Sequence, residues 1–413
     1  MNIKLFPPEQ LADVAINLPL SKSESNRQLI ISALSANGEL PQHLADCDDT
    51  NAMLAALKKG NGEINIGAAG TAMRFLTAYF ACKAGVDVLL DGSERMRQRP
   101  IAPLVDALRT LGADITYEGE EGFPPLRIHG KVLSGGDVEM KASVSSQYVS
   151  ALLMIAPSML DGLTLHLQGQ MVSVPYIRMT LGLMEMAGVK CDFDEDRGII
   201  KVPHGEYSSE MSSVEADWSA ASYWYAIAAI SSEQVRLKGL HRKSLQGDSA
   251  VGKLFEVTGL RGEFDEQEEL LLTLTPDVGS QLRVDLSDTP DLAQTLAVTC
   301  CLLSIPFVFT GLETLRIKET DRMAALQMEL SKLGFVVEVQ GDGVMMWRGA
   351  QFDPGIEIEP INTYDDHRMA MAFAPAAIFF PGLQINNAEV VSKSYPQYWQ
   401  DLETLGFSCE KVD

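Results

Sequence analysis

Between Leu326 and Val339 the sequence runs LQMELSKLGFVVEV, and this phrase carries the architecture. Leu326, Leu330 and Leu333 mark one face of a helix, Gly334 follows, and Phe335-Val336-Val337 opens an apolar, β-branched run. Glycine just past a helix takes the left-handed conformation that closes the last turn, and the chain then enters a strand. The phrase recurs as VDALRTLGADI (105–115), GLMEMAGVKC (182–191), GKLFEVTGLRGEF (252–264) and WQDLETLGFSC (399–409). Its glycines, Gly112, Gly188, Gly259, Gly334 and Gly406, stand 76, 71, 75 and 72 residues apart, too regular for unrelated helix ends. A weaker copy, NAMLAALKKGNGEINI (51–66), places Gly60 only 52 residues before Gly112. Six α/β units are therefore expected. Solenoids have shorter periods, so two compact domains of three units each are preferred to a rod.

Length agrees, because 413 residues exceed what one hydrophobic core usually serves. The boundary is expected in the polar stretch KVPHGEYSSEMSSVEADWSAAS (201–222), between strand-like GIIKV and a helix starting at Trp218 with Asp217 as its N-cap. The domains then run 18–213 and 214–413. From Leu292 to Leu312 no residue is charged, yet Pro306 divides the run, so a buried helix followed by a strand at 307–310 is expected rather than a membrane span.

Composition narrows the function. Hydrophobic residues make up 46% and charged residues 22%, which excludes a disordered tail, a coiled coil and a polytopic membrane protein. With 56 acids against 33 Lys and Arg, the net charge of -23 would repel nucleic acid and anionic lipid. Cys47, Cys82, Cys191, Cys300, Cys301 and Cys409 form no CxxC, and the six histidines form no HxxxH or HExxH pair, so no metal site is expected. Pro7-Pro8 interrupts the region where a secretory signal would be apolar, which points to a reducing cytoplasm and free thiols.

In so acidic a chain, the cations in unusual company are informative. Many sit beside Ser, Gly, Thr or Pro at helix starts: Lys22, Ser23 and Arg27 in PLSKSESNRQLIISAL, and Gly70, Thr71 and Arg74 in NIGAAGTAMRFL. Arg95, Arg97 and Arg99 follow in SERMRQRPI, Arg316, Lys318 and Arg322 in LRIKETDRM, His367 and Arg368 in YDDHRMAM, and Lys393 in VSKSYP. A helix N-terminus presents free N–H groups and a partial positive charge, and arginine adds a fork for carboxylate or phosphate. Each motif also has a plain reading, as an exposed helix edge, an ordinary strand-to-helix turn or a solvated charged start. Ser145 and Ser146, before Gln147, are either caps or phosphate donors; Asp291 is either a first-turn acid or a base for a hydroxyl. GDSAVGKL mimics a nucleotide-binding loop, but Leu254 stands where the Mg²⁺-binding hydroxyl is needed, so that reading is set aside.

The ordered set SKSxSNR, AGTAMR, RMRQRP, SSQY, VPYI, KETDR and DDHRMAM resembles the 5-enolpyruvylshikimate-3-phosphate synthase family from about Leu18 to Phe407. The resemblance implies an α/β (α+β) fold of two inside-out domains, each of three βαβαββ-like units around buried helices in pseudo-threefold arrangement. It also implies that residues 1–17 join the second domain. The implied reaction transfers the enolpyruvyl group of phosphoenolpyruvate to the 5-hydroxyl of shikimate 3-phosphate, in aromatic amino acid biosynthesis, with no metal or organic cofactor. The chain is expected to act as a monomer on these two small molecules, with no nucleic-acid or membrane partner.

By motif match, shikimate 3-phosphate is expected on Lys22, Ser23, Arg27, Ser145, Ser146, Gln147, Ser173, Tyr176, Asp291 and Lys318. Phosphoenolpyruvate is expected on Lys22, Gly70, Thr71, Arg99, Gln147, Arg322, Arg368 and Lys393. Lys22, Asp291, Glu319 and His367 are the expected catalytic groups. Two polyanions explain the cation pattern, since the like-charged surfaces need neutralising before the halves close on them. Departures from the family are Ala68 for a common Asn, Phe75 for Pro, Leu20 for Gly, and a shortened chain between Asp49 and Gly67. Gly70, rather than Ala, implies inhibition by glyphosate. UDP-N-acetylglucosamine 1-carboxyvinyltransferases share the architecture, but they pair the N-terminal Lys with Asn and carry a Cys before the RP dipeptide; here Ser23 follows Lys22 and SERMRQRP has no Cys. A non-catalytic anion binder of the same fold is disfavoured by Lys22, Asp291, Glu319 and His367 together.

Overall fold

The structure is a computed structural model and describes residues 1–141, 145–208 and 213–412. One strand pattern is repeated throughout. Gly62–Asn65 runs parallel to Asp87–Asp91, which pairs antiparallel with Leu126–His129, and that strand pairs antiparallel with Asp114–Tyr117. Counted along the chain, the spatial order is 1-2-4-3. The parallel pair needs a crossover, supplied by the helix Gly70–Cys82, and the final hairpin is entered from the helix Ala102–Thr110 through Gly112. The sheet Gly136–Lys141, Leu163–Gln168, Ile199–Val202, Asp192–Asp194 repeats this order, as does Leu282–Asp285, Phe307–Thr310, Val344–Trp347, Glu338–Gln340. Gly60, Gly112, Gly188, Gly259, Gly334 and Gly406 all lie in the left-handed region, with φ between +69° and +102°.

The N-terminal segment completes two more sheets, one of four strands in the same order and one of three. Ala15–Asn17 pairs parallel with Val235–Lys238, which is followed by Leu270–Leu274 and Leu260–Phe264. Asn2–Phe6 lies between Leu383–Ile385 and Ser408–Val412, antiparallel to both, while Ile361 bridges Ile385 in parallel. The chain forms two compact units, one of Met1–Leu20 with Glu215–Asp413 and one of Ser21–Val214. Leu18–Leu20 go with the former, because Leu20 bridges Ala216 and the Asp217 N–H donates to the Pro19 carbonyl. Residues 209–212 of the polar boundary stretch lie outside the described residues.

Among the described residues the first unit holds three sheets and the second only two. The expected first repeat is reduced to the helices Lys22–Leu34 and Asp48–Lys59, and the strand after Gly60 is already the first of the next sheet. That deletion corrects the count of three full repeats per domain and accounts for the short first spacing.

Helices occupy the interior of each unit and sheets its exterior. Every residue of Ala293–Leu302 and His367–Phe373 is buried, as are twelve of the fourteen in Trp218–Ser231. A helix apolar on all sides is stable only when surrounded, whereas the Asp87–Asp91 strand buries Val88 and Leu90 and turns its alternate residues outward. The uncharged run from Leu292 divides into Ala293–Leu302 and Phe307–Thr310, and among the described residues no helix is long and apolar enough to cross a membrane.

Candidate active site

In the Ser21–Val214 unit the functional motifs fall at four helix starts. Ser21 caps Lys22–Leu34 by accepting from the Glu24 N–H, and Ser145 caps Ser146–Ile155 by accepting from the Gln147 N–H. Gly70 and Thr71 begin Gly70–Cys82, and Ser173, at φ 56°, precedes Val174–Met186. These ends meet: the Gln147 amide donates to Thr71 Oγ1 at 3.2 Å, and Arg27 reaches the Tyr176 carbonyl at 3.4 Å. Each helix start contributes partial positive charge where these contacts form.

Arg27 is almost wholly enclosed, at 2% exposure. Its Nε donates to Thr180 Oγ1 at 2.7 Å, Nη1 to the Ser23 carbonyl at 2.9 Å and Nη2 to Ser150 Oγ at 3.2 Å. The Phe75 ring lies 5.4 Å from the guanidinium carbon, a cation–π distance. Burial outweighs the help of Tyr176 and Glu24 and brings its pKa down to about 10, so it stays charged at neutral pH. No carboxylate lies within ion-pair distance of Arg27 among the described residues. A buried cation held only by neutral groups is costly, and such a site suits an incoming anion.

Lys22 is placed differently, with its Nζ 3.1 Å from Asp49 Oδ2 in a mostly buried pair. Arg74 packs inward, donating to the carbonyls of Gly70 and Pro100. Arg99, 7% exposed, runs close over the Gly70 backbone: a Cβ on Gly70 would lie 2.5 Å from Arg99 Nη1. A methyl at 70 would disturb that approach, by displacing the end of the Arg99 side chain, and not the backbone angles. Arg97 turns away, to an exposed pair with Asp91.

In the unit of Met1–Leu20 with Glu215–Asp413, the cluster is anionic at its centre. Asp291 accepts from Arg322 Nη1 at 2.8 Å and Arg368 Nη2 at 2.9 Å, and Lys318 Nζ lies 3.5 Å away. Burial pushes the Asp291 carboxyl up, but Arg368, Lys318 and Arg322 outweigh it and hold the group well below the usual carboxylate range. Arg322, 2% exposed, also binds Glu319 at 2.9 Å and Asp366 at 2.6 Å; burial would lower its pKa, but Asp366, Glu319 and Asp291 raise it above the ordinary arginine value. Asp366 caps His367–Phe373 by accepting from the Arg368 N–H, and its Oδ1 lies 3.8 Å from His367 Nδ1. Lys393, at the end of Ala388–Lys393, donates to the Asp365 carbonyl at 2.6 Å, beside the cluster rather than in it.

Sequence reasoning missed several partners. Asp49, Thr180 and Ser150 hold Lys22 and Arg27 from 27, 153 and 123 residues away, and no local pattern marks them. Asp366 had a signal, since it precedes His367-Arg368 in a quoted motif. Asp248, buried at 3% and hydrogen-bonded by Ser219, lay in the rejected loop-like GDSAVGKL. Among the described residues no group of His, Cys, Asp and Glu has metal-binding geometry.

The family model described as EPSP synthase (3-phosphoshikimate 1-carboxyvinyltransferase) matches residues 59–402. A 3-phosphoshikimate 1-carboxyvinyltransferase of Bacteroides fragilis is 50% identical over 411 residues, covering 99% of both chains. One of Sulfurovum sp. is 36% identical over 432 residues, covering 98% of this chain and 99% of its own. The solved structure of EPSP synthase from Acinetobacter baumannii superposes with a TM-score of 0.76 over 99% of this chain and 100% of its own, at 19% identity, a likeness of fold. Motif order, helix-start geometry and these relatives agree that the chain belongs to the EPSP synthase (3-phosphoshikimate 1-carboxyvinyltransferase) family.

Proposed function

We propose that this chain transfers the enolpyruvyl group of phosphoenolpyruvate to the 5-hydroxyl of shikimate 3-phosphate and releases phosphate, by addition and elimination through a tetrahedral intermediate. The observation that carries the reading is the enclosure of Arg27 in neutral hydroxyls and carbonyls, a buried cation kept for a substrate anion. Ser23 and Arg27 take the acceptor's carboxylate. Ser145, Ser146 and Ser173, with Gln147 and Tyr176, take its phosphate. Arg99 and the backbone at Gly70 and Thr71 bind the donor, as do Arg322, Arg368 and Lys393, and Lys22 serves both substrates.

The charge balance around Asp291 suits a base that works only when the donor is present. With three cations on it, Asp291 is a poor proton acceptor. A donor that draws Arg368 away, and an acceptor that draws Lys318, lift this restraint, and its basicity rises where the 5-hydroxyl proton must be removed. Glu319, tied to Arg322, and Lys22 share delivery of a proton to the methylene carbon and its later removal from the methyl group. His367, buried beside Asp366 at the start of the helix that carries Arg368, joins these catalytic groups.

Phosphate release from the purified protein tests the proposal. Release requiring both phosphoenolpyruvate and shikimate 3-phosphate, and absent with UDP-N-acetylglucosamine as acceptor, is the expected result. Turnover with the nucleotide sugar alone overturns the choice of acceptor.

A further inference from the structure

Arg368 bears on two carboxylates, Asp291 directly and Asp248 through the Ser219 hydroxyl. Its Nη2 donates to Asp291 Oδ2 at 2.9 Å and to Ser219 Oγ at 3.4 Å. The Ser219 hydroxyl donates in turn to Asp248 Oδ2. The other amino group, Nη1, reaches the Tyr223 hydroxyl and the Asp291 carbonyl, both at 3.4 Å. Asp291 keeps some exposure, with 17% of its side chain open, whereas Asp248 is 3% exposed in the turn Gly247–Ala250. Three chain segments thus converge behind one guanidinium: the first turn of Trp218–Ser231, the 247–250 turn and the start of His367–Phe373.

This carboxylate is kept against its environment. Burial first, and then the charge of Asp291, push its pKa up to about 6, although Arg368 and the Ser219 hydroxyl favour the charged form; Asp217 also faces it. A group whose charge is disfavoured where it stands costs stability, and an uncharged amide of the same shape would relieve that cost. Its position behind a substrate-binding arginine supplies a reason for keeping it.

We propose that Asp248 is a positioning residue for Arg368, acting through the Ser219 hydroxyl, and that this relay sets the affinity for the anionic donor. The proposal rests on the reading that Arg368 binds phosphoenolpyruvate. When the donor draws Arg368 from Asp291, the front of the guanidinium loses a partner, and the Ser219–Asp248 pair holds its rear edge in register.

The test compares wild type with Ser219→Ala, Asp248→Ala, Asp248→Asn and the Ser219→Ala/Asp248→Ala double variant. Steady-state rates are read with each substrate varied, and phosphoenolpyruvate affinity is read separately by thermal shift without acceptor. Loss of one hydrogen bond in a charged network predicts that Ser219→Ala and Asp248→Ala each raise the KM for phosphoenolpyruvate about tenfold. The KM for shikimate 3-phosphate should stay within about twofold, the double variant should be no worse than either single one, and Asp248→Asn should restore part of the loss. Donor KM values within twofold of wild type in both single variants, equal rises for both substrates, or losses that multiply in the double variant would overturn the relay. If wild type shows no turnover, the reading of the reaction has failed; the relay is then judged by donor affinity from the thermal shifts, which must weaken in both single variants. Should Asp248→Ala not fold, Ser219→Ala and Asp248→Asn carry the comparison, and an unchanged donor affinity in Ser219→Ala overturns it.

Discussion

Replacing Gly70 by Ala isolates one contact. The new Cβ would lie 2.5 Å from Arg99 Nη1, 3.0 Å from Arg99 Cζ and 3.1 Å from Arg74 Nη1. Ordinary contact needs about 3.5 Å, so the Arg99 guanidinium must retreat by about 1 Å. The backbone has no part in this, because Gly70 is not among the positive-φ glycines and begins a helix, where Ala is preferred by about 0.5–1 kcal/mol. Folding should therefore be unimpaired while the donor site loses its alignment. A displacement of about 1 Å, or the loss of one charge-assisted bond worth about 1.5–3 kcal/mol, predicts a rise of roughly ten- to a hundredfold in the KM for phosphoenolpyruvate. The KM for shikimate 3-phosphate should be nearly unchanged. Glyphosate should inhibit wild type competitively with phosphoenolpyruvate and inhibit the variant more weakly. Steady-state assays with each substrate varied in turn decide the matter. Wild-type KM values for both substrates in a folded Gly70→Ala variant would refute the placement of Arg99 in the donor site.

Other perturbations follow from the same geometry. Lys22→Ala should lower turnover about a thousandfold with the fold retained, because a charge serving both substrates disappears; near-normal rates would refute its role. Arg322→Leu strips Asp291, Glu319 and Asp366 of their shared cation and should cost about 3–5 kcal/mol, or about 10 °C in Tm, so an unchanged melting curve would count against the cluster as described. Asp291, with its pKa depressed in the folded state, contributes stability above the unfolded carboxylate value near 3.9 that is lost as pH falls through its lower folded value. Acid titration of the Asp291→Asn variant should accordingly show a flatter loss of stability below about pH 4 than wild type, and identical curves would contradict the shift.

How far the sequence could be read depends on the range of each signal. Helix ends, hairpin entries and the glycines between them are set by neighbours within a few residues, so LQMELSKLGFVVEV and its copies disclosed the repeat. Most of the cations proposed for the substrates were legible for the same reason, since they stand in or near helix starts. Their supports were not. Thr180 under Arg27, Asp49 beside Lys22 and Asp248 behind Arg368 come from distant segments, and only the packing of helices brings them near. Sheet completion by Asn2–Phe6 and Ala15–Asn17 is likewise long-range: these strands join partners more than 200 residues away. The missing first sheet was foreshadowed by the short first spacing and by the shortened chain between Asp49 and Gly67, since an absent strand leaves no pattern of its own to read.

In this acidic chain Arg27 is a buried cation with no carboxylate within ion-pair distance among the described residues, which is what a site for the acceptor's anion requires. Arg27→Gln tests it most directly, since amide donors remain while the charge is removed and no protein anion is left unpaired. Calorimetric titration with shikimate 3-phosphate should show affinity falling by about ten- to a hundredfold, with Tm unchanged or higher. Undiminished affinity, or a large fall in Tm that accounts for the lost binding, would contradict the claim.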